Sequence, residues 1–403
     1  MRRGQLRDHF TGVGAKYLSA VDAEPKRSNQ HEIGITRNMR KQVLGECKQQ
    51  FNVRYFWLGE EQGGFTSYAQ ATYYDTRENQ PHRSPEWRLY YPANSVTEAM
   101  REDDALFLAM HNGGLLYFIV APAGSTGEQQ LSWLFGVSPG ESFLSRAIGA
   151  GEPLGFAARY IFDELGVVLE EADETELDDI IEQFGIEFPK TADFSKLARK
   201  TLREAVSPED DPDGALLAWL GHEGALFRRL ERKAVTERLR KGFVTEDGVD
   251  VDGFVAYSLS VQNRRKSRMG HSLENHAEAI FRARQVSFNR GPKTERNNRP
   301  DFLFPSIEEY RAAPKGCRHL AMLGTKSSCK DRWRQILKEA EKIPDKHLLT
   351  LEPGITSSQT NQMADAKLQL VVPRAIHDSY TLDQQGWLWT FDEFIRKVEA
   401  RRR

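Results

Sequence analysis

Two short, mainly apolar runs, each with a charged residue at one end, constrain this chain more than any other feature of its sequence. FLF (302–304) follows Asp301 within RPDFLFPS, and LGT (323–325) leads into Lys326. Both runs have the length and composition of buried strands. If the strands are neighbours, they present the Asp301 carboxylate and the Lys326 amine to one point. A carboxylate can hold Mg²⁺ while a lysine positions the attacking water, which is the layout that a metal-dependent nuclease needs.

The next segment, CKDRWRQILKEAEKI (329–343), has helical periodicity. On that helix Glu339 projects toward the two strand ends and can supply a second acidic ligand. This explains why Gly324 occupies the place two residues before Lys326, where the (D/E)xK pattern usually has an acid. The alternative is a surface glutamate in a charged helix. One buried stripe is predicted for Trp333, Ile336, Leu337, Ala340 and Ile343.

These segments, with NRRKSRMGHSLENHAEAIF (263–281) and LVVP (370–373), resemble EcoRII-like type II restriction endonucleases. That family belongs to the PD-(D/E)xK superfamily, in the group that reads sites with CC and GG flanks. The resemblance implies that Asp301 and Glu339 hold Mg²⁺, that Lys326 positions the water, and that Glu274 assists. It also implies cleavage before the first C, by a homodimer on double-stranded DNA.

The same resemblance places the contacts to the CC:GG base edges on Lys330, Asp331 and Arg332. The chemistry agrees, because Arg and Lys pair with guanine O6 and N7, and Asp accepts from cytosine N4. The alternative is a solvated helix start in which Asp331 favours the helix dipole. Further DNA contacts are predicted for three arginines of the preceding basic segment, Arg264, Arg265 and Arg268.

Charge is distributed unevenly along the chain. The net charge is −2, yet residues 262–403 contain 27 Lys and Arg against 17 Asp and Glu. By contrast, EEADETELDDIIEQ (170–183) has eight acids and no base. A basic DNA-facing domain beside an acidic spacer or plug fits this pattern, and a simply soluble acidic helix fits it equally. We expect an N-terminal domain over 1–170, an acidic connector over 171–214 and a catalytic domain over 215–403.

The N-terminal region is predicted to be mostly β. YFWLGE, TSYAQATYYD, WRLYYPA, ALFLAMHNGGLLYFIVAP and LSWLFGV are short aromatic and β-branched runs, and NGG (112–114) indicates a hairpin. Two polar loops, 22–32 and 75–88, resemble the arms of the EcoRII effector-binding pseudobarrel, with ordinary surface loops as the alternative. Candidate DNA contacts in these loops are Arg27, His31, Arg77 and Arg83.

The predicted fold class is therefore multidomain α+β. It combines an N-terminal β pseudobarrel with an α/β restriction-endonuclease-like catalytic domain, whose mixed sheet is flanked by helices. The three cysteines form neither a disulfide framework nor a zinc site, which favours a reducing cytoplasm. The sequence has no secretory leader, no membrane span and no P-loop, so no membrane partner or nucleotide cofactor is expected.

Two other functions fit part of the sequence. One is a DNA-binding regulator that keeps a nuclease-like fold without activity. The other is a modification-dependent or repair nuclease of the same fold. For the restriction endonuclease, a fragment beginning near Ser195 is expected to fold and cut by itself.

Overall fold

The computed structural model of the protein describes residues 5–23, 31–59, 64–80, 82–151, 153–167, 174–203, 206–245, 248–329 and 333–401. The chain divides into two compact units. The N-terminal unit comprises residues 2–170 with 353–356, and the C-terminal unit comprises 171–352 with 357–403. Both strands and helices are abundant, so the mixed α+β class is confirmed. In the described part of the chain, no helix is long and apolar enough to cross a membrane.

The N-terminal unit is built on a mixed sheet of eight strands in the order β2-β5-β4-β3-β7-β6-β1-β8. Its neighbouring strands run antiparallel except for β3 and β7, which are parallel. The strands are β1 Phe10–Tyr17, β2 Glu32–Gly34, β3 Gln49–Trp57, β4 Phe65–Asp75, β5 Trp87–Tyr90, β6 Ala105–His111, β7 Leu116–Ala121 and β8 Leu144–Ala147.

The centre of this sheet is buried on both faces. The apolar runs of β6 and β7 are almost continuous, as expected for strands covered on both sides. They form the hairpin that NGG (112–114) predicted. On the adjoining strand, a Cβ at Gly12 would lie 2.1 Å from the carbonyl oxygen of Gln42. Glycine is therefore required where β1 passes beneath the π-turn over Arg40–Leu44, which contains Gln42.

In the described part of the N-terminal unit, five α-helices accompany the sheet. LSWLFGV was predicted as a strand, and this prediction is wrong, because most of it lies in a helix. Ser125 caps the helix by accepting from the Glu128 N–H, and Gly136 ends it in a left-handed conformation. The helices are α1 Ala20–Ala23, α2 Arg37–Met39, α3 Ser95–Ala99, α4 Thr126–Phe135 and α5 Phe156–Glu164, and a π-turn covers Arg40–Leu44.

In the described residues, the C-terminal unit begins with four α-helices, and the first three share a hydrophobic core. Residues from the acidic run form part of the first, and its Asp178 carboxylate pairs with Arg229. Leu177, Ile181 and Phe194 are buried against the third helix. The segment predicted as a connector thus contributes packed helices. The helices are α6 Glu174–Ile181, α7 Thr191–Thr201, α8 Pro212–Lys241 and α9 Val251–Ala283, with the short strands β9 Val244–Thr245 and β10 Gly248–Val249 between the last two.

A five-stranded sheet follows, in the order β11-β12-β13-β14-β15. The pairs β11–β12 and β12–β13 are antiparallel, whereas β13–β14 and β14–β15 are parallel. Phe281 of α9 packs against Phe302 and Phe304, which fixes the helix on the sheet. The elements are β11 Asn289–Arg290, β12 Phe302–Phe304, α10 Ile307–Ala312, β13 Ala321–Lys326, α11 Trp333–Ile336, β14 Lys346–Thr350, α12 Ser357–Asp365, β15 Leu368–Val371, α13 Leu382–Trp387 and α14 Phe391–Ala400.

Candidate active site

Asp301 and Lys326 lie together at one edge of the C-terminal sheet, because β12 and β13 are antiparallel neighbours. The Asp301 Oδ2 accepts from the Thr325 N–H at 2.6 Å and from the Thr325 hydroxyl at 3.0 Å. The Lys326 Nζ lies 3.7 Å from the same oxygen. Both charged side chains remain about one quarter exposed. The structure therefore fixes a carboxylate and an amine side by side where solvent and a substrate can reach them.

Glu339 also lies near Asp301 and Lys326, but in a turn and not on the predicted long helix. The prediction of one long helix over 329–343 is wrong, since among the described residues of this segment the helix α11 ends at Ile336 and turns follow it. Beyond the end of α11, Ala340 adopts a left-handed conformation with φ 47°, which a helix continuing through this position would not contain. Burial was predicted correctly at four of the five stripe positions: Trp333, Ile336, Ala340 and Ile343 are buried.

Gly324 shows why the second carboxylate comes from outside the strand. A Cβ at this position would lie 2.6 Å from the Cδ1 atom of Ile336. Ile336 is fully buried and belongs to α11, three residues before Glu339. The segment that fills the space beside Gly324 is thus the segment that delivers Glu339.

Lys346 holds the turn that carries Glu339. Its Nζ donates to the backbone carbonyls of Glu339 and Ala340, the latter at 2.7 Å. Burial lowers the pKa of Lys346 to about 8, although nearby carboxylates oppose the shift. Lys346 was not among the residues predicted from the sequence. Its signal was a lysine at the start of the apolar strand KHLLT, where a buried charge needs partners.

The electrostatics of Glu339 favour a bound cation. Burial, and then the negative charge of Asp301, raise the pKa of Glu339 to about 7, against the influence of Lys326 and Lys346. Its Oε2 is buried and has no hydrogen-bond partner in the structure. Two such carboxylates fit Mg²⁺, which commonly binds one or two carboxylates together with water and phosphate oxygens. Within the described ranges, no cluster of three or more His, Cys, Asp or Glu side chains forms a larger metal site.

Glu274 lies on α9 and contacts Arg290 rather than the strand-end cluster. The Arg290 guanidinium donates to Glu274 Oε2 at 2.8 Å and to Glu278 Oε2 at 2.6 Å. Arg290 is in β11, opposite Phe302 and next to Asp301 in the sheet. Glu274 is therefore linked to the edge through an arginine. Its predicted role as an assisting acid remains a prediction.

The predicted base-reading residues Lys330, Asp331 and Arg332 lie outside the described residues. Cys329 is fully buried, and its backbone N–H donates to the Glu352 carboxylate. Trp333 is also buried.

The three arginines predicted to contact DNA from α9 lie in different surroundings. Arg264 stacks over the Phe188 ring at 4.1 Å, and Arg265 pairs with the buried Glu231 while its own side chain is largely exposed. Arg268 is buried against Glu223, at 3.3 Å. This corrects the prediction for Arg268, because a guanidinium in the interior cannot reach DNA.

The Glu223 carboxylate is the centre of a polar network that the sequence did not reveal. It also lies 2.9 Å from the fully buried His276 and accepts from the Ser272 hydroxyl at 2.6 Å. Helical periodicity shows which positions face inward, but it does not show that polar side chains at those positions meet each other.

Two of the N-terminal residues predicted to contact DNA make contacts within their own loop, 75–88. Arg77 pairs with Glu86, and Arg83 donates to Gln80 at 3.2 Å while remaining exposed. His31 packs edge-on against Tyr91. Arg27 lies outside the described residues.

Residues 227–395 match the family described as EcoRII C terminal. The type II restriction enzyme EcoRII of Escherichia coli is 34% identical over 286 residues, covering 70% of this chain and 69% of that protein.

Two solved structures are more distantly similar. Metal-depleted Ecl18kI in complex with uncleaved DNA is 15% identical over 57% of this chain and 83% of its own, with a TM-score of 0.44. The PspGI–substrate DNA complex is 13% identical over 56% and 91%, with a TM-score of 0.40. The match to EcoRII spans more than two thirds of both proteins, and it confirms the resemblance inferred from the sequence motifs. The chain belongs to the EcoRII family of type II restriction enzymes.

Proposed function

We propose that this chain cuts double-stranded DNA with Mg²⁺ at the cluster of Asp301, Lys326 and Glu339, at sites that contain CC and GG. As a member of the EcoRII family it is a site-specific deoxyribonuclease. The single observation that carries the proposed chemistry is the convergence of two carboxylates and an amine at one sheet edge.

Asp301 and Glu339 are the residues that would hold the metal ion. When bound, the ion supplies a Lewis acid that stabilises charge on the phosphate and lowers the pKa of water. Thr325 keeps the Asp301 carboxylate in one orientation through two hydrogen bonds. Lys346 fixes the backbone of Glu339, so neither carboxylate has to be ordered when DNA binds.

Lys326 is the remaining group that can act on the reaction. Its amine is a donor and a positive charge beside the carboxylates, and it is partly exposed. In this position it can orient a water molecule for attack on the phosphorus and offset negative charge on the phosphate. Arg290, which binds Glu274, lies on β11, the strand beside β12, and is a second cationic side chain on this side of the sheet.

Recognition of the bases is assigned to Lys330, Asp331 and Arg332. The buried Cys329 and Trp333 flank them in sequence, and Lys326 is only four residues before Lys330. Base reading and phosphate cleavage would then use one short segment. Arginine and lysine suit guanine, and aspartate suits the amino group of cytosine, so the segment fits G·C pairs in the major groove.

The proposed role of the N-terminal unit is to bind a second copy of the recognition site, as an effector domain of the pseudobarrel type. Its loop after β4 presents Arg83 to solvent, while Arg77 braces the loop through Glu86. Arg27 and His31 are the candidate DNA contacts on the other predicted arm. The cytoplasm remains the predicted location.

A plasmid digestion tests this function against its alternatives. Purified protein is incubated with Mg²⁺ and either methylated or unmethylated plasmid, and the ends are sequenced. Cuts before a CC in unmethylated DNA support the proposal. Cutting confined to methylated DNA would identify a modification-dependent enzyme, and specific binding without any cleavage would identify a regulator.

A further inference from the structure

Glu352 carries a buried carboxylate just beyond the end of β14, and the proposed cleavage chemistry does not use it. The residue is only 4% exposed, and it follows Thr350, the last residue of the strand, by two positions. Burial of a carboxylate is costly unless hydrogen-bond donors satisfy it. The donors of this side chain therefore indicate what the carboxylate does.

One donor to the carboxylate is the backbone N–H of Cys329, 23 residues away in sequence. Cys329 is fully buried. Burial, and then the negative charge of Glu352, raise the pKa of its thiol, so the thiol stays neutral beside the carboxylate. The contact is thus made to the backbone of residue 329, and it fixes the course of the chain at that point.

Glu352 is itself held in place from two sides. Its backbone N–H donates to the Thr350 hydroxyl at 3.2 Å, and its backbone carbonyl accepts from the Tyr380 hydroxyl at 2.6 Å. Thr350 and Tyr380 are both buried. Because the backbone of Glu352 is fixed by buried partners, its carboxylate can hold the chain at Cys329 in one position.

This contact lies beside the strand end that carries Lys326. β13 and β14 are parallel neighbours, and Lys326 stands opposite Thr350 in their register. Cys329 comes three residues after Lys326, just as Glu352 comes two residues after Thr350. The chain that leaves β13 is therefore tied to the chain that leaves β14, within three residues of the amine of the candidate active site.

We propose that Glu352 is a positioning residue for base recognition, which holds the backbone at Cys329 in a fixed relation to Lys326. Lys330 directly follows Cys329 in the sequence. Glu352 would thereby set which base pairs are read relative to the bond that is cut. The inference rests on the proposed function, which assigns base reading to residues 330–332.

The expected consequence is a loss of selectivity. A bidentate contact to a base edge needs two hydrogen bonds of good geometry at once, and each such contact distinguishes base pairs by about 10- to 100-fold. Phosphate contacts tolerate displacement better and carry no sequence information directly. Release of the backbone at Cys329 should therefore weaken binding to the correct site more than binding to altered sites.

Binding by the full-length protein in Ca²⁺ tests this expectation. The probes are a duplex with the site identified by plasmid digestion and duplexes with single-base changes in its CC and GG. Glu352→Ala should lower the discrimination between them by about 10-fold or more. Glu352→Asp should do the same, because its charge is kept but its side chain is one methylene too short for the Cys329 N–H. Glu352→Gln should retain most of the discrimination, since its amide oxygen can still accept.

Asp213→Asn is the matched control for loss of a buried carboxylate. Asp213 is also 4% exposed and belongs to the same unit. It accepts from backbone N–H groups elsewhere in the unit, those of Arg374, Phe391 and Asp392. Its variant should melt at a lower temperature and discriminate normally. Unchanged discrimination in Glu352→Asp, or an equal loss in Asp213→Asn, would overturn the proposal. Glu352→Asp and Glu352→Gln decide the matter if Glu352→Ala does not fold.

Thiol labelling tests the anchor without DNA or metal. In a Cys47→Ser, Cys317→Ser background the buried Cys329 is the remaining cysteine, and dithiobisnitrobenzoate should label it slowly. Glu352→Asp should speed its labelling by about 10-fold or more, because opening of this segment exposes the thiol. Glu352→Gln and Asp213→Asn should change the rate little.

The two measurements separate this inference from the proposed function. A chain that neither binds nor cuts DNA specifically would contradict the proposed function and leave the labelling rates as expected. An unchanged labelling rate in Glu352→Asp would overturn the anchor even if the enzyme cuts as proposed. Faster labelling with full discrimination would show that the contact serves the fold alone, and would overturn its role in base recognition.

Discussion

Ile336 occupies the space that any side chain at position 324 would need. The two residues meet because Gly324 has no Cβ; one added there would approach the Cδ1 of Ile336 to 2.6 Å. In the usual (D/E)xK arrangement the acid stands at this strand position. Here the packing of Ile336 leaves no room for an acidic side chain at position 324. Glu339 supplies the carboxylate from the turn that follows α11.

A double-mutant cycle checks the packing relationship. Gly324→Ala should lower the free energy of unfolding by about 1–3 kcal/mol, because a core that is already full must shift. In an Ile336→Ala background the same substitution should cost much less, and the difference measures the coupling. Urea unfolding of the four proteins gives all the values. Equal costs in both backgrounds would mean that the site relaxes by another route.

The carboxylate exchange follows from the same contact. Gly324→Glu combined with Glu339→Gln gives the sequence the usual (D/E)xK spacing, with an acid two residues before Lys326. It should recover no cleavage, because the new side chain cannot enter the site without displacing Ile336. Plasmid cleavage by the combined variant and by Glu339→Gln alone should be equally low. Recovery of activity would show that the strand position is open after all.

Loss of the strand-end charges should separate cutting from binding. Asp301→Asn and Lys326→Met should each lower the rate of plasmid cleavage by about 100-fold or more, since both groups act on metal or phosphate charge in the transition state. Specific DNA binding in Ca²⁺ should persist. Lys338→Met, an exposed lysine on the neighbouring turn, is the control and should cut normally. Near wild-type cleavage by either active-site variant would contradict the assignment.

The pKa of Glu339 predicts how the metal-free protein responds to pH. Because burial and Asp301 raise this pKa from 4.5 to about 7, the protonated form is stabilised in the folded state. That stabilisation is complete below pH 4.5 and is lost as the pH rises through 7. In EDTA, Glu339→Gln should therefore melt close to the wild type at pH 5 and above it at pH 8.

Metal and a control variant complete this pH experiment. Mg²⁺ should raise the melting temperature of the wild type at pH 8 more than that of Glu339→Gln, since the cation offsets the paired negative charges. Glu308→Gln removes an exposed carboxylate of the same unit and should show no such pH dependence. If Glu339→Gln melts below the wild type at pH 8 in EDTA, the carboxylate is stabilising and the raised pKa is wrong.

Arg332 tests the base-reading assignment. If it makes a bidentate guanine contact, Arg332→Ala should remove about 1–3 kcal/mol of discrimination at one base pair. Binding is measured on the specific site and on single-base variants of it over a range of salt. A uniform loss across all sequences, with a shallower salt dependence, would instead make Arg332 a phosphate contact.

The parts of this site that local sequence encodes were predictable. Asp301 and Lys326 could be placed because two apolar runs define two strands, and the strands are neighbours. Glu339 was expected to lie near these strand ends on a long helix, but the helix ends at Ile336 and Glu339 lies in the turns that follow. The strand predicted for LSWLFGV failed because Ser125 and Gly136 cap a helix there. Arg268 was misread because its partner, Glu223, lies 45 residues away in sequence.

The helices before α8 decide where an independent catalytic fragment can begin. Ser195 is fully buried in the middle of α7, and its hydroxyl accepts from the Asn275 side chain at 3.1 Å. A fragment that starts there lacks Leu177, Ile181 and Phe194, each of which contributes to the shared core. Loss of one such side chain typically costs about 2–5 kcal/mol of the free energy of unfolding. The loss of three is therefore comparable to the whole stability of a domain, which is about 5–15 kcal/mol.

We therefore expect a fragment beginning at residue 171 to fold cooperatively and to cut single-site plasmids at least as well as the full-length protein. The intact chain should prefer plasmids with two or more recognition sites, because its N-terminal unit would bind a second copy of the site. A fragment beginning at Ser195 should unfold at a lower temperature or fail to fold, contrary to the expectation from sequence alone. Thermal melts and cleavage of one-site and two-site plasmids compare the three proteins. If the fragment from 171 folds but cannot cut, while the full-length protein cuts both plasmids at equal rates, the N-terminal unit belongs to the primary recognition surface.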